Sequence, residues 1–166
     1  MTIQTKRLTL RTLTLEQLNR LLCLGPDSWA AANGCVWDGE PLDQDFRSFL
    51  EDQRQLLSRD PAQEPYSSVW LMLHGDRVIG SCCFKGPPDA QGQVEIGYGI
   101  HKPHEGRGYT TEAVGGLCAW ALAQPPVTAV LAETERWNLA SQRVLEKCGM
   151  TRYQQTAAAH WWRLSR

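Results

Sequence analysis

Apolar residues recur along this chain at two periods, and the changes of period divide it into short strands and helices. From Lys6 to Thr12 the sequence alternates, with Leu8 and Leu10 on one face and Arg7, Thr9 and Arg11 on the other, as in a half-buried strand. The period then lengthens. Thr14-Leu-Glu-Gln17 has the pattern of a capping box, and Leu15, Leu18, Leu21 and Leu22 follow at helical spacing until Gly25-Pro26 stops them. Trp29 to Glu40 predicts a short helix followed by a loop, because Asn33-Gly34 and Asp38-Gly39 favour turns. From about Asp43 to Ser58, Phe46, Phe49, Leu50, Leu56 and Leu57 form an apolar stripe that ends before Pro61.

Ser67 to His74 and Arg77 to Phe84 are β-prone runs joined by Gly75-Asp76, a hairpin signal, and Gln93 to Ile100 extends the meander after a Gly- and Pro-rich loop. A helical pattern runs from about Thr110 to Ala123 and ends at Pro125-Pro126. Val127 to Glu133 is a strand, Asn138 to Cys148 a helix capped by Gly149, and Tyr153 to Arg163 a final hairpin or pair of short strands. The predicted order, β-α-α-β-β-β-α-β-α-β-β, is a mixed α/β arrangement in a single domain spanning residues 1–166.

Composition narrows the function classes. The 166 residues carry 17 Lys plus Arg against 18 Asp plus Glu, a net charge of -1. This balance offers no field to concentrate a phosphate backbone, so nucleic acid is not an expected partner. No apolar run approaches the ~20 residues of a membrane span, and the start does not resemble a signal peptide. The six cysteines lack a C-x-x-C pair and read as small buried hydrophobes of a cytoplasmic protein. The four histidines have no zinc spacing, so no metal is expected. Asp38, Glu40, Asp43 and Asp45 cluster before the second long helix, either to attract a cationic amine or as solvated acids at a helix start. Trp29 and Trp37, in the same region, are candidates for a pocket wall or for the core.

The informative junction is Glu105-Gly-Arg-Gly-Tyr-Thr110, where a strand feeds a glycine-rich helix start whose free N–H groups and dipole suit an anion. It is neither a Walker A loop nor a dinucleotide fingerprint, since Thr111 stands where a third glycine would fall. The run Gly97-Tyr-Gly-Ile-His-Lys-Pro-His-Glu-Gly-Arg-Gly-Tyr-Thr-Thr-Glu-Ala113 resembles the cofactor-binding motif of the GNAT N-acetyltransferase superfamily. That motif reads Arg or Gln, two residues, Gly, one residue, then Gly or Ala. Here Glu105 and Thr110 depart from it at the first and last positions. Ala132 to Met150 resembles the family's next strand and helix, and Thr5 to Arg11 the opening strand of its ribosomal-protein (RimJ/RimL-like) branch.

The resemblance implies a twisted, mostly antiparallel sheet of about six to seven strands flanked by about four helices. It also implies acetyl-CoA as cofactor. Tyr98, Gly99 and Ile100 would offer backbone groups to the pantetheine arm at a splayed strand end, and Gly106, Arg107, Gly108, Tyr109, Thr110 and Thr111 would hold the pyrophosphate. Asn138 and Ser141 would flank the arm, with Arg143 or Lys147 reaching the nucleotide phosphates; Asn138 also suits a plain helix N-cap. The implied reaction is direct acetyl transfer to a primary amine, of a protein N-terminus or a small molecule. Glu95, Glu133 or a water relay is the candidate base. Ser141 is the candidate acid toward the thiolate, because Leu145 occupies the position where many relatives carry tyrosine. The alternative is a catalytically silent acyl-CoA-binding module. A homodimer stays open.

Overall fold

The computed structural model describes residues 1–166. Its elements are β1 (Thr2–Gln4), β2 (Thr9–Thr12), α1 (Leu15–Leu24), α2 (Pro26–Ala32), β3 (Val36–Trp37), α3 (Gln44–Arg59), α4 (Glu64–Ser67), β4 (Val69–His74), β5 (Arg77–Phe84), β6 (Gln93–Ile100), α5 (Tyr109–Ala123), β7 (Ala129–Glu135), α6 (Leu139–Lys147), β8 (Thr151–Gln155) and β9 (Ala159–Ser165). One sheet runs β1-β2-β4-β5-β6-β7-β9-β8, with β3 paired to β5 outside that path. The pairings are antiparallel except β6 with β7 and β3 with β5. The mixed α/β class and mostly antiparallel sheet are as expected. The additional strands are short ones.

Local signals explain the element ends. Thr14 and Gln17 complete the capping box of α1, Asp43 caps α3 by accepting from the Phe46 amide at 2.7 Å, and Gly149 takes a positive φ after α6. The opening segment differs from the expected single strand. The chain turns between Thr5 and Leu8 (Thr5 N to Leu8 O, 2.9 Å), so β1 and β2 form a hairpin. Leu8 and Leu10 are buried as their alternation required. What the alternation could not show is that Thr5 and Arg7 are held by a residue far along the chain, described below.

Each face of the sheet carries its own core. On one, α5 and α6 pack Val114, Leu117 and Leu145 against Trp70, Phe84, Val94, Ile96 and Trp162. On the other, α1, α2 and α3 pack Leu18, Leu21, Trp29 and Leu50 against Val69, Leu71 and Val78. Trp29 is therefore a core residue, fully buried. The cysteines are all free; Cys35, Cys82, Cys83 and Cys118 are buried and Cys148 half-buried, but Cys23 is exposed on α1 because it follows rather than belongs to the leucine stripe. Cys82 belongs to the first core, whereas Cys83, its neighbour on the strand, lines a pocket with Phe46 and Phe49 of α3.

Candidate active site

Strand β6 parts from β7 halfway along its length. The two pair in parallel from Gln93 with Ala129 to Ile96 with Ala132, and no further. On its other edge β6 stays paired to β5 through Ile100. The Lys85 amide donates to Glu95 O at 2.8 Å and the His101 amide to Ile79 O at 2.9 Å, so the odd-numbered residues of β6 are those bonded to β5. The N–H and C=O groups of Tyr98 and Ile100 consequently point into the gap with no strand to receive them.

Beside that gap lies the start of α5. Gly106 (φ 71°) and Gly108 (φ 78°) adopt the left-handed conformation that lets the chain turn from β6 into the helix, and no side chain caps it. The amides from Gly106 to Thr111 donate to no carbonyl or side chain; the Glu112 amide is the first taken, by Gly108 O at 3.1 Å. A row of free donors at the positive end of a helix binds an anion without further help.

The gap and the helix start form one cleft of about 540 Å³, within the range that holds a cofactor-sized ligand. It brings together Tyr98, Gly99 and Ile100 from β6, then Gly106, Gly108, Tyr109, Thr110 and Thr111, and then Asn138, Ser141, Arg143 and Lys147 from α6. Arg107 alone of the expected binding residues lies outside the lining. It is exposed, and its carbonyl accepts from Arg7 Nη1 at 3.0 Å. Glu105 also lines the cleft and is exposed to solvent. Asn138 caps α6, accepting from the Ser141 amide at 3.0 Å, while its residue still borders the cleft.

The Ser141 hydroxyl lies 2.7 Å from Tyr98 Oη, which also donates to the Ser141 carbonyl at 3.2 Å. Burial pushes the Tyr98 phenol up to about 12 against the opposing effect of the Ser141 hydrogen bond, so the phenol holds its proton at neutral pH. Leu145 is fully buried in the core. The cleft therefore holds a hydroxyl pair from β6 and the first turn of α6, besides the hydroxyl residues Tyr109, Thr110 and Thr111 of α5.

Three residues that sequence reasoning missed hold the anion loop in place. Glu112, in the first turn of α5, accepts from Thr5 Oγ1 (2.6 Å) and from Arg7 Nε (2.6 Å). Burial would raise its pKa, but the hydrogen bonds from Thr5 and Arg7 and the Arg7 charge outweigh burial and bring it to about 2. Arg7 also lies over the Tyr109 ring, 4.6 Å from its centroid. The only local signal was Arg7 on the polar face of an alternating segment.

The opposite face of β6 opens on two smaller pockets beneath α3, of about 280 and 300 Å³. Trp37, Leu42 and Phe46 line one together with the acidic Glu40 and Asp43; Phe46, Phe49 and Cys83 line the other. Gly99 borders all three spaces. A side chain built on Gly99 would meet nothing within 4 Å, so open space adjoins this residue. Of the acidic cluster, Asp38 is engaged by Arg77 Nη1 and His104 Nε2, each at 3.0 Å. The Arg77 hydrogen bond is the main cause that holds its carboxyl below the usual range. Glu95 is half-buried on the α3 side and ion-paired with Lys85. Glu133 is exposed on the same side of the sheet, beyond the point where β6 and β7 separate.

A sheet that parts next to an uncapped helix start offers free strand groups and an anion-binding helix end to a single ligand, and the sequence places this arrangement in a family. The profile of the Acetyltransferase (GNAT) domain matches residues 7–151, and the chain belongs to this acetyltransferase family. The Uncharacterized N-acetyltransferase YjdG of Bacillus subtilis (strain 168) is 31% identical over 163 residues, covering 96% of this chain and 95% of that protein. The Uncharacterized N-acetyltransferase p20 of Bacillus licheniformis is 28% identical over 147 residues, 87% of this chain and 79% of that one. Among solved structures, RimL, the ribosomal L7/L12 alpha-N-protein acetyltransferase in complex with coenzyme A, matches with a TM-score of 0.71 at 15% identity, covering 99% of this chain and 98% of its own. The GNAT-family acetyltransferase from Bacillus anthracis matches at 0.67 and 16% identity, with 99% and 98% covered. These two likenesses establish the fold. No helix is long and apolar enough to cross a membrane.

Proposed function

We propose that this acyltransferase uses acetyl-CoA to acetylate a primary amine, either the α-amine of a protein or peptide or the amine of a small molecule. The observation that carries the reading is the gap after Ile96 and Ala132 meeting six unpartnered amides at the start of α5. These residues fit an acyl-CoA. Gly106 and Gly108 to Thr111 would take the pyrophosphate, Arg143 and Lys147 would neutralise the outer phosphates, and the backbone groups of Tyr98 and Ile100 would bond the pantetheine arm. The bound group supplies an acetyl thioester.

The chain's own residues do the rest. The pocket of Trp37, Leu42 and Phe46, with Glu40 and Asp43 at its edge, suits a cationic amine carried on an apolar body. Gly99 lets the amine side communicate with the thioester side. Ser141, backed by the Tyr98 phenol, donates a hydrogen bond where thiolate charge develops, and general acid catalysis of this kind contributes about 100-fold or more. The silent-module alternative draws on Leu145, whose burial leaves the cleft without a tyrosine at that position; the Tyr98 hydroxyl answers it.

A ligand at 100 times its dissociation constant adds about 2.7 kcal/mol to stability, which at this size raises the melting temperature by about 5–10 °C. Saturating acetyl-CoA is expected to produce this shift, and its absence refutes cofactor binding. Thiol release with a panel of peptides, polyamines, aminoglycosides and aromatic amines then separates enzyme from silent module. Release that never exceeds thioester hydrolysis, despite the shift, selects the module.

A further inference from the structure

The acceptor amine must lose a proton, and its attack needs a group to receive it. Near pH 7.4 a lysine-like amine, with a reference pKa of about 10.4, costs roughly 4 kcal/mol to deprotonate; an α-amine near 7.7–8.0 costs under about 1 kcal/mol. Both carboxylates considered from the sequence are poorly disposed for this. Glu95 already holds Lys85, so taking a proton would break that pair. Glu133 stands exposed on the far strand.

We propose that His101 is the general base, resting on the reading that acetyl-CoA fills the cleft and the amine enters beneath α3. His101 follows directly on Ile100 and lines the pocket with Trp37, Glu40 and Asp43. Its Nδ1 is 3.0 Å from the Asp38 main-chain carbonyl. A carbonyl only accepts, so Nδ1 carries the hydrogen, and in the neutral ring Nε2 holds a lone pair. Nε2 has no partner within the chain.

The fold fixes this orientation from several sides. Strand β3 pairs with the start of β5 where β6 has not yet reached it (Trp37 with Val78), and the Asp38 amide donates to Val78 O at 2.9 Å. This carries the Asp38 carbonyl beneath the imidazole. The ring lies 5.3 Å from the Trp37 ring centroid and covers Gly39, where any side chain would collide with it. The Asp38 carboxylate is occupied by Arg77 and His104, so it does not compete for the His101 proton. Glu40 and Asp43 are the remaining charged groups lining the pocket, and Lys102 is the neighbour in sequence.

The amine nitrogen forms a bond to the thioester carbonyl carbon, its proton passes to His101 Nε2, and the C–S bond breaks with its electron pair going to sulfur. The thiolate is protonated through the Ser141–Tyr98 pair, which regains its proton from solvent as His101 releases one there, leaving amide, thiol and both residues in their starting forms.

The test compares His101→Asn, whose amide nitrogen can keep the hydrogen bond to Asp38 O but has no basic atom, with wild type, using phenethylamine and a short peptide with a free α-amine. Expected are a kcat loss of about 100-fold or more on phenethylamine, a smaller loss on the peptide, partial rescue by added imidazole, and an unchanged melting shift with acetyl-CoA. Imidazole nitrogen-15 spectra of the wild type should show the Nδ1–H tautomer at this residue. Gly39→Ala, which displaces the ring while leaving it in the chain, should lower kcat in parallel. Wild-type rates in His101→Asn, or the Nε2–H tautomer, overturn the assignment. Failure of the cofactor reading looks different: wild type itself then shows no melting shift with acetyl-CoA.

Discussion

The contacts of Thr5 and Arg7 with Glu112 make a quantitative prediction, because their combined energy can be worked from one displaced pKa. Glu112 has an ordinary value of 4.5 and is held at about 2 in the folded chain, and its side chain is only 15% exposed. A carboxyl with a depressed folded pKa stabilises the fold above its unfolded value and loses that contribution as pH falls toward the folded one. The difference is worth about 3 kcal/mol at neutral pH, and about half of it is gone by pH 3. Glu112→Gln removes the charge while keeping the shape. At neutral pH it should cost about 2–3 kcal/mol and lower the melting temperature by about 5–10 °C. Urea titrations from pH 7 down to pH 3 should show wild-type and variant midpoints converging. The same variant frees Arg7, whose Nη1 holds the Arg107 carbonyl in the anion loop, so acetyl-CoA affinity should fall as well. A gap in stability that is absent at pH 7, or that is equally wide at pH 3, refutes the reasoning. A double-mutant cycle with Arg7→Met isolates the pair from its surroundings.

Gly108→Ala places a side chain at φ 78° and should cost about 1–2 kcal/mol in the melting curve, with a larger loss in calorimetric acetyl-CoA affinity because the loop amides move. Ser141→Ala should lower kcat by about tenfold to 100-fold with KM for acetyl-CoA nearly unchanged, and Tyr98→Phe should lower it less; an unaltered kcat in both removes the hydroxyl pair from the reaction. Gly99→Val meets open space, so unfolding should shift by less than about 1 kcal/mol while acetyl transfer disappears; a fully active, folded variant would show that Gly99 is not the passage. Glu40→Lys should raise KM for a cationic amine severalfold, and more strongly at low salt than at 0.5 M, since the contact is screened; a KM insensitive to the substitution means the amine does not pass this edge.

The sequence carried the fold class and much of the cofactor cleft because those features are local. A capping box, an alternating strand, a Gly-x-Gly turn and an N-cap asparagine are each written within a few neighbouring residues. Gly106 and Gly108 could be read as left-handed positions feeding a helix because no other residue adopts that backbone cheaply. The anchoring of the hairpin at Thr5 to Leu8 was illegible for the opposite reason. Thr5 and Arg7 are held by Glu112, 105 residues beyond Arg7, and no periodicity in Lys6 to Thr12 registers so distant a partner. In the sequence His101 is one of four histidines without zinc spacing, and nothing in its neighbours indicates that β3 brings the Asp38 carbonyl beneath it. The ion pair of Glu95 with Lys85 was hidden in the same way: the two residues are separated by the loop between β5 and β6 and meet only through antiparallel register.

The charge balance acquires a meaning once β6 is seen as a partition. On the cleft side, Arg143 and Lys147 accompany the free amides of α5. On the α3 side, Glu40 and Asp43 border the pocket and Asp38 is already neutralised by Arg77. A net charge of -1 is thus compatible with two fields of opposite sign, each facing a different opening. Over distances shorter than the ~8 Å Debye length of physiological salt, these groups act on a ligand before the rest of the molecule does. On the proposed reading an anionic ligand and a cationic one are in this way drawn to opposite sides of one strand. On the proposed reading the two reactants meet beside Gly99, which borders all three spaces, so a residue with no side chain there leaves the room that their contact requires.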